Sequence, residues 1–349
     1  MELPQNVICC QNANEALAQE IKIYQSTVFV LTDENTRQHC LPQLPCLENA
    51  VVIEIKSGEQ HKNIATMQNI WTQMASSGGD RKSLFINLGG GVIGDMGGLA
   101  ASLFKRGIDF INVPTTLLSQ VDASCGGKLA VDFNNLKNEI GLFRNPNKVI
   151  VSTQFLKTLP ENQLVSGMAE MIKHALILVP EHFNEIKEFN PQKPDWQLLS
   201  NLVETSIKIK NYFTEKDPTE KNIRKMLNFG HTIGHAIESY SFDTPNPLLH
   251  GEAVAAGMIC ELFLSNKYLN FPALKMLDIT GYINTLFKPF QFKPTIYENL
   301  YNLMTHDKKN SGGNINFSLL RDLGDFEINC VCDKQEVFQA LSFYNQINN

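Results

Sequence analysis

"SLFINLGGGVIGDMGG" (residues 83–98) reads as a strand, a glycine-rich turn and the opening of a helix. Ser83–Leu88 is a short β-rich run, and Gly89, Gly91 and Gly94 fit G-x-G-x-x-G directly after it. In that context backbone N–H groups and a helix N-terminus face a pyrophosphate. The competing reading is a tight strand-to-helix connection with no ligand. One feature departs from an ordinary dinucleotide unit. The acid about 20 residues on is Asp109, which opens the next strand instead of closing it, so a ribose has to be held elsewhere.

Outward from this stretch, "STVFVLT" (26–32), "IDFINVP" (108–114) and "KVIVS" (148–152) are further β-rich runs with helical segments between them. That alternation predicts a parallel sheet flanked by helices. Beyond about residue 155 the period turns helical, over 162–178, 196–214, 220–240, 251–268 and 295–305. "INFSLLRDLGDFEINCV" (315–331) then reads as a hairpin before a closing helix. The fold expected is an α/β, Rossmann-like nucleotide-binding domain over 1–155 and a mostly α-helical metal- and substrate-binding domain over 156–349. A chain of 349 residues is long for one core, which agrees with two domains.

Hydrophobic residues make up 43% and charged ones 19%, an ordinary globular balance. A net charge of −6 argues against nucleic acid as the main partner. No apolar run reaches the roughly eighteen residues of a membrane helix. The opening "MELPQNVICCQNANEALAQE" lacks a signal-peptide pattern, and a cytoplasmic protein is expected. The eight cysteines, Cys9 and Cys10 among them, show no repeated CxxC spacing and read as reduced thiols.

Two further stretches carry chemistry. "PTTLLSQVDASCGGKLAVDFNNLKNEIG" (114–141) joins a Pro-Thr-Thr turn, the acid Asp122, a Gly-Gly-Lys loop and a Lys137–Asn138 pair. Glycines followed by lysine suit an approaching anion, although the spacing is not that of a Walker loop. In and just before "LNFGHTIGHAIE" (227–238), Arg224, Asn228, His231 and His235 fall within roughly a 60° arc if the segment is one helix. Two imidazoles, an amide and a cation make a poor core face. His250 opens the next helix, where the N-terminus keeps an imidazole neutral and able to bind metal. Glu170 and Lys173 share an otherwise apolar helix, where a carboxylate is costly unless paired or metal-bound. Two histidines plus one glutamate make a catalytic zinc set. Spacing alone favours His231 and His235 as ligands, with Glu170 or His250 third. His39, His61, His174 and His182 read as surface or packing residues.

Taken together, "GGGVIGDMGG", "RGIDFINVPTTLLSQVDASCGGK", "KNEIG", "SGMAEMIKHAL", "RKMLNFGHTIGHAIE" and "LLHGEAVAAGM" resemble the 3-dehydroquinate synthase family, in order from about residue 30 to 310. The resemblance implies an NAD-dependent, zinc- or cobalt-containing homodimeric enzyme with its site in a cleft between two domains. It assigns the metal to Glu170, His231 and His250, with His235 beside the substrate. Cofactor contacts fall to Asp33 and Asn35, to Glu59 and Lys62, to Gly90, Gly91, Val92 and Asp95, and to Thr115, Thr116, Lys137, Phe155 and Thr158. Asp33 supplies the ribose acid that Asp109 does not. Asp122 and Lys128 belong to both cofactor and catalytic sets. The substrate's phosphate and carboxylate fall to Arg106, Lys128, Asn138, Lys173, Lys210, Arg224, Asn228 and His235, with Lys308 or Lys309 from "HDKKN". Ala123, Leu129 and Leu136 depart from the family's usual Ser, Thr and Gly.

The implied reaction converts 3-deoxy-D-arabino-heptulosonate 7-phosphate to 3-dehydroquinate and phosphate in the shikimate pathway. It runs through transient oxidation by bound NAD, β-elimination of phosphate, re-reduction, ring opening and an aldol closure. Zinc lowers the pKa of bound water from 15.7 to about 7, and similar acidification of a sugar hydroxyl is worth up to roughly 11 kcal/mol. The rival readings are a sister sugar-phosphate cyclase, a metal-dependent polyol dehydrogenase and a non-catalytic NAD or metal sensor. The first would change the carboxylate-binding residues, the second would not need so many anion-binding lysines, and the third should have lost a metal-binding group.

Overall fold

The computed structural model describes residues 1–134, 136–305 and 315–348. Two compact units divide the chain, Met1–Leu164 with Trp196–Asn211, and Val165–Asp195 with Tyr212–Asn349. The first unit thus takes in a segment, Trp196–Asn211, that a single cut at residue 155 leaves out.

The first unit is built on a sheet whose strands come from β1 (Val7–Cys9), β2 (Val28–Asp33), β3 (Val51–Ile55), β4 (Leu84–Gly89) and β5 (Asp109–Pro114). An antiparallel ribbon of β6 (Lys128–Phe133) and β7 (Leu136–Phe143) stands apart, and β8 (Lys148–Val151) returns to the sheet. The order is β1-β8-β5-β4-β2-β3, with every neighbouring pair parallel. Helices α1 (Ala13–Ile21), α2 (Glu34–His39), α3 (Ile64–Ser76) and α4 (Gly91–Leu103) fill the connections. The four expected strands are β2, β4, β5 and β8. The sequence reading misses β1, too short to show a period, and the edge strand β3.

Side chains alternate across the sheet with period two. Phe29, Leu31, Phe85 and Phe110 pack with Met67 and Ile70 of α3 and Met96 of α4. Val30, Ile86, Ile111 and Val113 pack with Leu17 of α1 on a separate core. Burial on both faces is why β4 shows no alternation of apolar and polar residues, Asn87 being its one polar side chain. Each such side chain removed from water contributes roughly 1.5–3 kcal/mol. Leu129, at a family position usually held by Thr, is part of the first core, so its methyls replace a hydroxyl in packing. From β2 the chain steps to β3 on one side and then returns to β4 on the other. The winding direction therefore reverses between β2 and β4, and α/β sheets bind ligands beyond the carboxyl ends of strands at such a point.

The second unit is mainly helical. Helix α5 (Glu161–Leu178) enters it, followed by α6 (Pro180–Lys187) and the last turn of α7 (Trp196–Lys216). Then come α8 (His231–Ser241), α9 (His250–Leu269), α10 (Ala273–Leu286) and α11 (Tyr297–Thr305). The expected hairpin is β9 (Asn316–Asp322) with β10 (Asp325–Val331), turning at Gly324, before α12 (Lys334–Gln346). One expectation is corrected. Residues 220–240 do not form a single helix: Ile223–Asn228 is a 3₁₀ turn, and Gly230 at φ +80° breaks the chain before α8 begins. Only His231 and His235 of the proposed four-residue stripe share a helix. No helix among the described residues is long and apolar enough to cross a membrane.

Candidate active site

Glu170 on α5 is fully buried, and Lys173, one turn later, is 1% exposed. The two form an ion pair. His231 is the first residue of α8 and His250 the first of α9. Their Nε2 atoms lie 3.3 and 3.5 Å from the same oxygen, Glu170 Oε1. Ligand-capable atoms of the three side chains lie within 4.8 Å of one another. Neither carboxylate oxygen of Glu170 accepts a hydrogen bond of good geometry. An anion so deeply buried is costly unless a cation faces it.

The second layer of contacts aims the rings. His231 Nδ1 is 3.1 Å from the Phe229 carbonyl, and His250 Nδ1 is 3.4 Å from Glu238 Oε2. Such partners fix the ring orientation and leave Nε2 for a metal. Burial, then the Lys173 ammonium, drives the His231 imidazole down to about 3, so it is neutral with its lone pair available. Burial also opposes a charge on His250, but the Glu170 and Glu238 carboxylates beside it prevail and raise it to about 10, so without a cation the ring is protonated and not neutral as its place at a helix N-terminus predicts. For Glu170, burial is overcome by Lys173 and His231, which hold its carboxyl well below the usual range. One carboxylate and two imidazoles make a three-ligand donor set of the kind that fits a catalytic divalent cation. The His235 ring stands beside this set, 5.1 Å from the His231 ring and 5.9 Å from that of His250.

Arg224 is 2% exposed and reaches the site's sequence neighbourhood from the 3₁₀ turn. Its Nη1 donates to the Pro218 carbonyl at 2.7 Å, and Asn228 Nδ2 donates to Glu220 at 2.7 Å. Asp217 ties this turn together by accepting from the backbone N–H of Lys221, Asn222 and Arg224 at 3.0, 2.6 and 3.2 Å. Burial pushes the Asp217 carboxyl up, but those three donors and the Arg224 charge prevail and lower it. A depressed carboxyl adds stability that is present above its unfolded pKa of roughly 4 and is lost as pH falls through the folded value. Asp217→Asn should therefore lower the thermal midpoint by a constant amount above about pH 5, with the gap to wild type narrowing as pH falls below about 4. Parallel thermal unfolding curves of the two proteins from pH 2 to 7 measure this, and a gap that widens toward low pH contradicts it.

In the first unit the glycine-rich stretch forms the expected strand–turn–helix. β4 ends at Gly89 and α4 starts at Gly91, with Gly90 as a cap residue that offers no side chain. The first N–H groups of α4 are thus left for an anion. A small recess is lined here by Gly89, Gly90, Gly91, Gly94, Pro114 and Ser119, at the carboxyl ends of β4 and β5. Asp33 ends the neighbouring strand β2, and its Oδ1 caps α2 through the Thr36 N–H at 2.7 Å. Asp109 instead accepts from the Tyr24 hydroxyl at 3.0 Å. Uncapped N–H groups, glycine walls and an acid at the end of the adjacent strand fit a dinucleotide.

The other expected residues are distributed as follows. Lys62 Nζ donates to Asp95 Oδ2 and to Asn138 Oδ1, both at 2.6 Å, so an amide expected at the substrate meets a lysine expected at the cofactor. Lys210 Nζ binds Asp122 Oδ1 at 2.6 Å and also its carbonyl. Asp122 lies on a single π-helical turn, Ser119–Ala123, a feature common at functional sites. Thr115 N donates to the Gly89 carbonyl at 3.0 Å, and Thr116 Oγ1 is 2.9 Å from Ser119 Oγ. Arg106 sits at φ +73° just past α4, and Lys128 opens β6. Asn35, Glu59 and Lys137 are exposed or half-buried, and the nitrogen of Lys62 is 3.9 Å from Glu59. Val92 lies in the first turn of α4, and Thr158 Oγ1 donates to the carbonyl of Phe155, whose side chain is core. Lys308 and Lys309 lie outside the described residues. Sequence reasoning passed over Glu238 and Glu261, although each is a carboxylate in an apolar helical stretch, the signal that singled out Glu170.

Residues 52–166 match the family model for the 3-dehydroquinate synthase N-terminal region, and residues 167–310 that for the C-terminal region. The 3-dehydroquinate synthase of Parabacteroides distasonis is 43% identical over 346 residues, 98% of each chain. Among solved structures, 2-deoxy-scyllo-inosose synthase with carbaglucose-6-phosphate, NAD⁺ and Co²⁺ superposes with a TM-score of 0.84 at 24% identity, over 96% of this chain and 95% of that one. The 2-epi-5-epi-valiolone synthase of Streptomyces hygroscopicus, with NAD⁺ and Zn²⁺ bound, gives 0.84 at 24% identity over 99% and 98%. At that identity the two structures share the fold.

Proposed function

The chain belongs to the 3-dehydroquinate synthase family, and on that footing we propose that it converts 3-deoxy-D-arabino-heptulosonate 7-phosphate to 3-dehydroquinate and phosphate. It would thus be a carbon–oxygen lyase acting on phosphate, at the second step of the shikimate pathway to chorismate and the aromatic amino acids. The observation that carries the reading is the convergence of His231 and His250 Nε2 on the buried Glu170 carboxylate. When bound, a divalent cation (zinc or cobalt) and NAD supply Lewis acidity at a substrate hydroxyl and reversible oxidation of its carbon. Glu170, His231 and His250 would hold the cation, and the N-terminus of α4 with Asp33 would hold the dinucleotide.

The chain's own groups do the rest. Arg106, Lys128, Asn138 and Lys210 in the first unit, and Lys173, Arg224, Asn228 and His235 in the second, are assigned to the substrate's anionic and hydroxyl groups. They explain a concentration of cations at chosen positions in a chain of net charge −6. His235 is the one imidazole among them, a side chain that can both accept and donate a proton. The proposed division of labour is NAD over residues 1–155 and metal over 156–349, with substrate-binding groups drawn from each, in a cytoplasmic homodimer.

Chelator-stripped protein with NAD⁺ and the heptulosonate phosphate should release no phosphate until zinc or cobalt is added. It should then release phosphate and 3-dehydroquinate together, with no net NADH at 340 nm. Turnover of sedoheptulose 7-phosphate or glucose 6-phosphate instead would make it a sister cyclase. Accumulating NADH would make it a dehydrogenase.

A further inference from the structure

The start of α8 has no cap of its own. Gly230 precedes His231 and carries no side chain, yet the first backbone N–H groups of any helix need acceptors. They find one on a different helix. Glu261, about three turns along α9 from His250, is fully buried. Its Oε2 accepts from the Gly230 N–H at 2.7 Å, and its Oε1 from those of Thr232 and Ile233 at 3.1 and 3.3 Å. The two bonded residues Gly230 and Thr232 flank His231 in the chain.

The backbones must come unusually close for this. A Cβ on Gly257 of α9 would stand 1.9 Å from the Gly230 carbonyl oxygen, and one on Gly230 would stand 2.5 Å from Met258 Cγ. The first turn of α8 is therefore clamped between Gly257 and Glu261, one turn apart on α9. That same helix opens with His250. A single rigid element thus carries one metal-binding imidazole and grips the backbone that carries the other. Burying a carboxylate only to fill space is costly. Its three N–H bonds, and the favourable end of the α8 dipole, give this one its compensation.

We propose that Glu261 is a positioning residue for the metal centre: by capping α8 it holds His231 Nε2 on the point shared with Glu170 and His250. The proposal rests on the reading of Glu170, His231 and His250 as a divalent-cation site. An isosteric amide has one oxygen for three donors, and its own N–H₂ group would face at least one backbone N–H. The first turn of α8 would then shift, and His231 with it.

The test uses the full-length protein and cobalt(II) alone, titrated against a competing chelator and followed by visible absorption. In Glu261→Gln the dissociation constant should rise about 10–100-fold, the usual cost of losing an outer-shell partner. The cobalt absorption bands should change in position or intensity, while NAD⁺ affinity stays at the wild-type value. Should Glu261→Gln fail to fold, Glu261→Asp keeps the charge with a shorter reach and should give a smaller weakening in the same direction. A lower thermal midpoint with wild-type cobalt affinity and a superimposable spectrum means that Glu261 is only structural, and overturns the proposal. If the wild type itself takes up no cobalt, the metal-centre reading falls and this proposal with it. If the wild type binds cobalt and the variants match it, this proposal alone falls.

Discussion

Glu170→Gln is expected to leave the protein without a tightly bound divalent cation and to lower kcat/KM by about three orders of magnitude or more. Structural zinc held by four protein ligands is bound with roughly 10–16 kcal/mol, so one anionic ligand is worth about 3–4 kcal/mol, or a factor of about 10²–10³ in affinity. A site with three protein ligands has less to spare than one with four. The amide keeps the shape of Glu170 but presents no charge to a cation, in a pocket where that carboxylate is fully buried and faces two Nε2 atoms. Metal content after dialysis, measured by atomic emission, separates this from a fold defect. The wild type should retain close to one equivalent and the variant almost none. A variant that kept its metal and lost only turnover would remove Glu170 from the ligand set.

The first unit was legible because its signals are local. The β-rich run "LFINL" and the glycines of 89–94 specify a strand, a turn and an uncapped helix within sixteen consecutive residues. The strands that escaped were β1, at three residues too short to show a period, β3, a sheet edge with mixed burial, and the ribbon of β6 and β7, which read as a loop. In the second unit the chemistry was legible and its geometry was not. Helical spacing runs through "RKMLNFGHTIGHAIE" without interruption, and only the left-handed backbone of Gly230 reveals two separate elements. That conformation is imposed from outside the segment, by Glu261 on one side and the close approach of Gly257 on the other. An i, i+4 histidine pair is visible to anyone counting residues. That His250 Nε2 comes to the same oxygen as His231 Nε2 depends on how α5, α8 and α9 pack, which no local pattern encodes. The same holds for Asp217, whose carboxylate is spent on N–H groups of the turn that follows it.

Lys173→Met should be the most destabilising of the single substitutions near the metal centre when no metal is present, at about 3–5 kcal/mol, the usual cost of leaving one half of a buried ion pair. For a unit of this size that is a fall in thermal midpoint on the order of 10 °C. The reason is burial on both sides. Lys173 is 1% exposed and Glu170 fully buried, so water can replace neither charge. Two consequences separate this account from a simple packing loss. In Glu170→Leu/Lys173→Met both charges are gone, and most of the lost stability should return although metal binding does not, since an apolar pair of similar volume costs little to bury. Zinc should also raise the midpoint of Lys173→Met by more than that of the wild type, because a divalent cation facing Glu170 supplies the charge that the missing ammonium had provided. Thermal unfolding of the three proteins in chelator and in zinc makes the comparison. If the double variant is no more stable than Lys173→Met in chelator, the stability at this position comes from packing. The Glu170 charge would then be balanced by the His250 imidazolium alone.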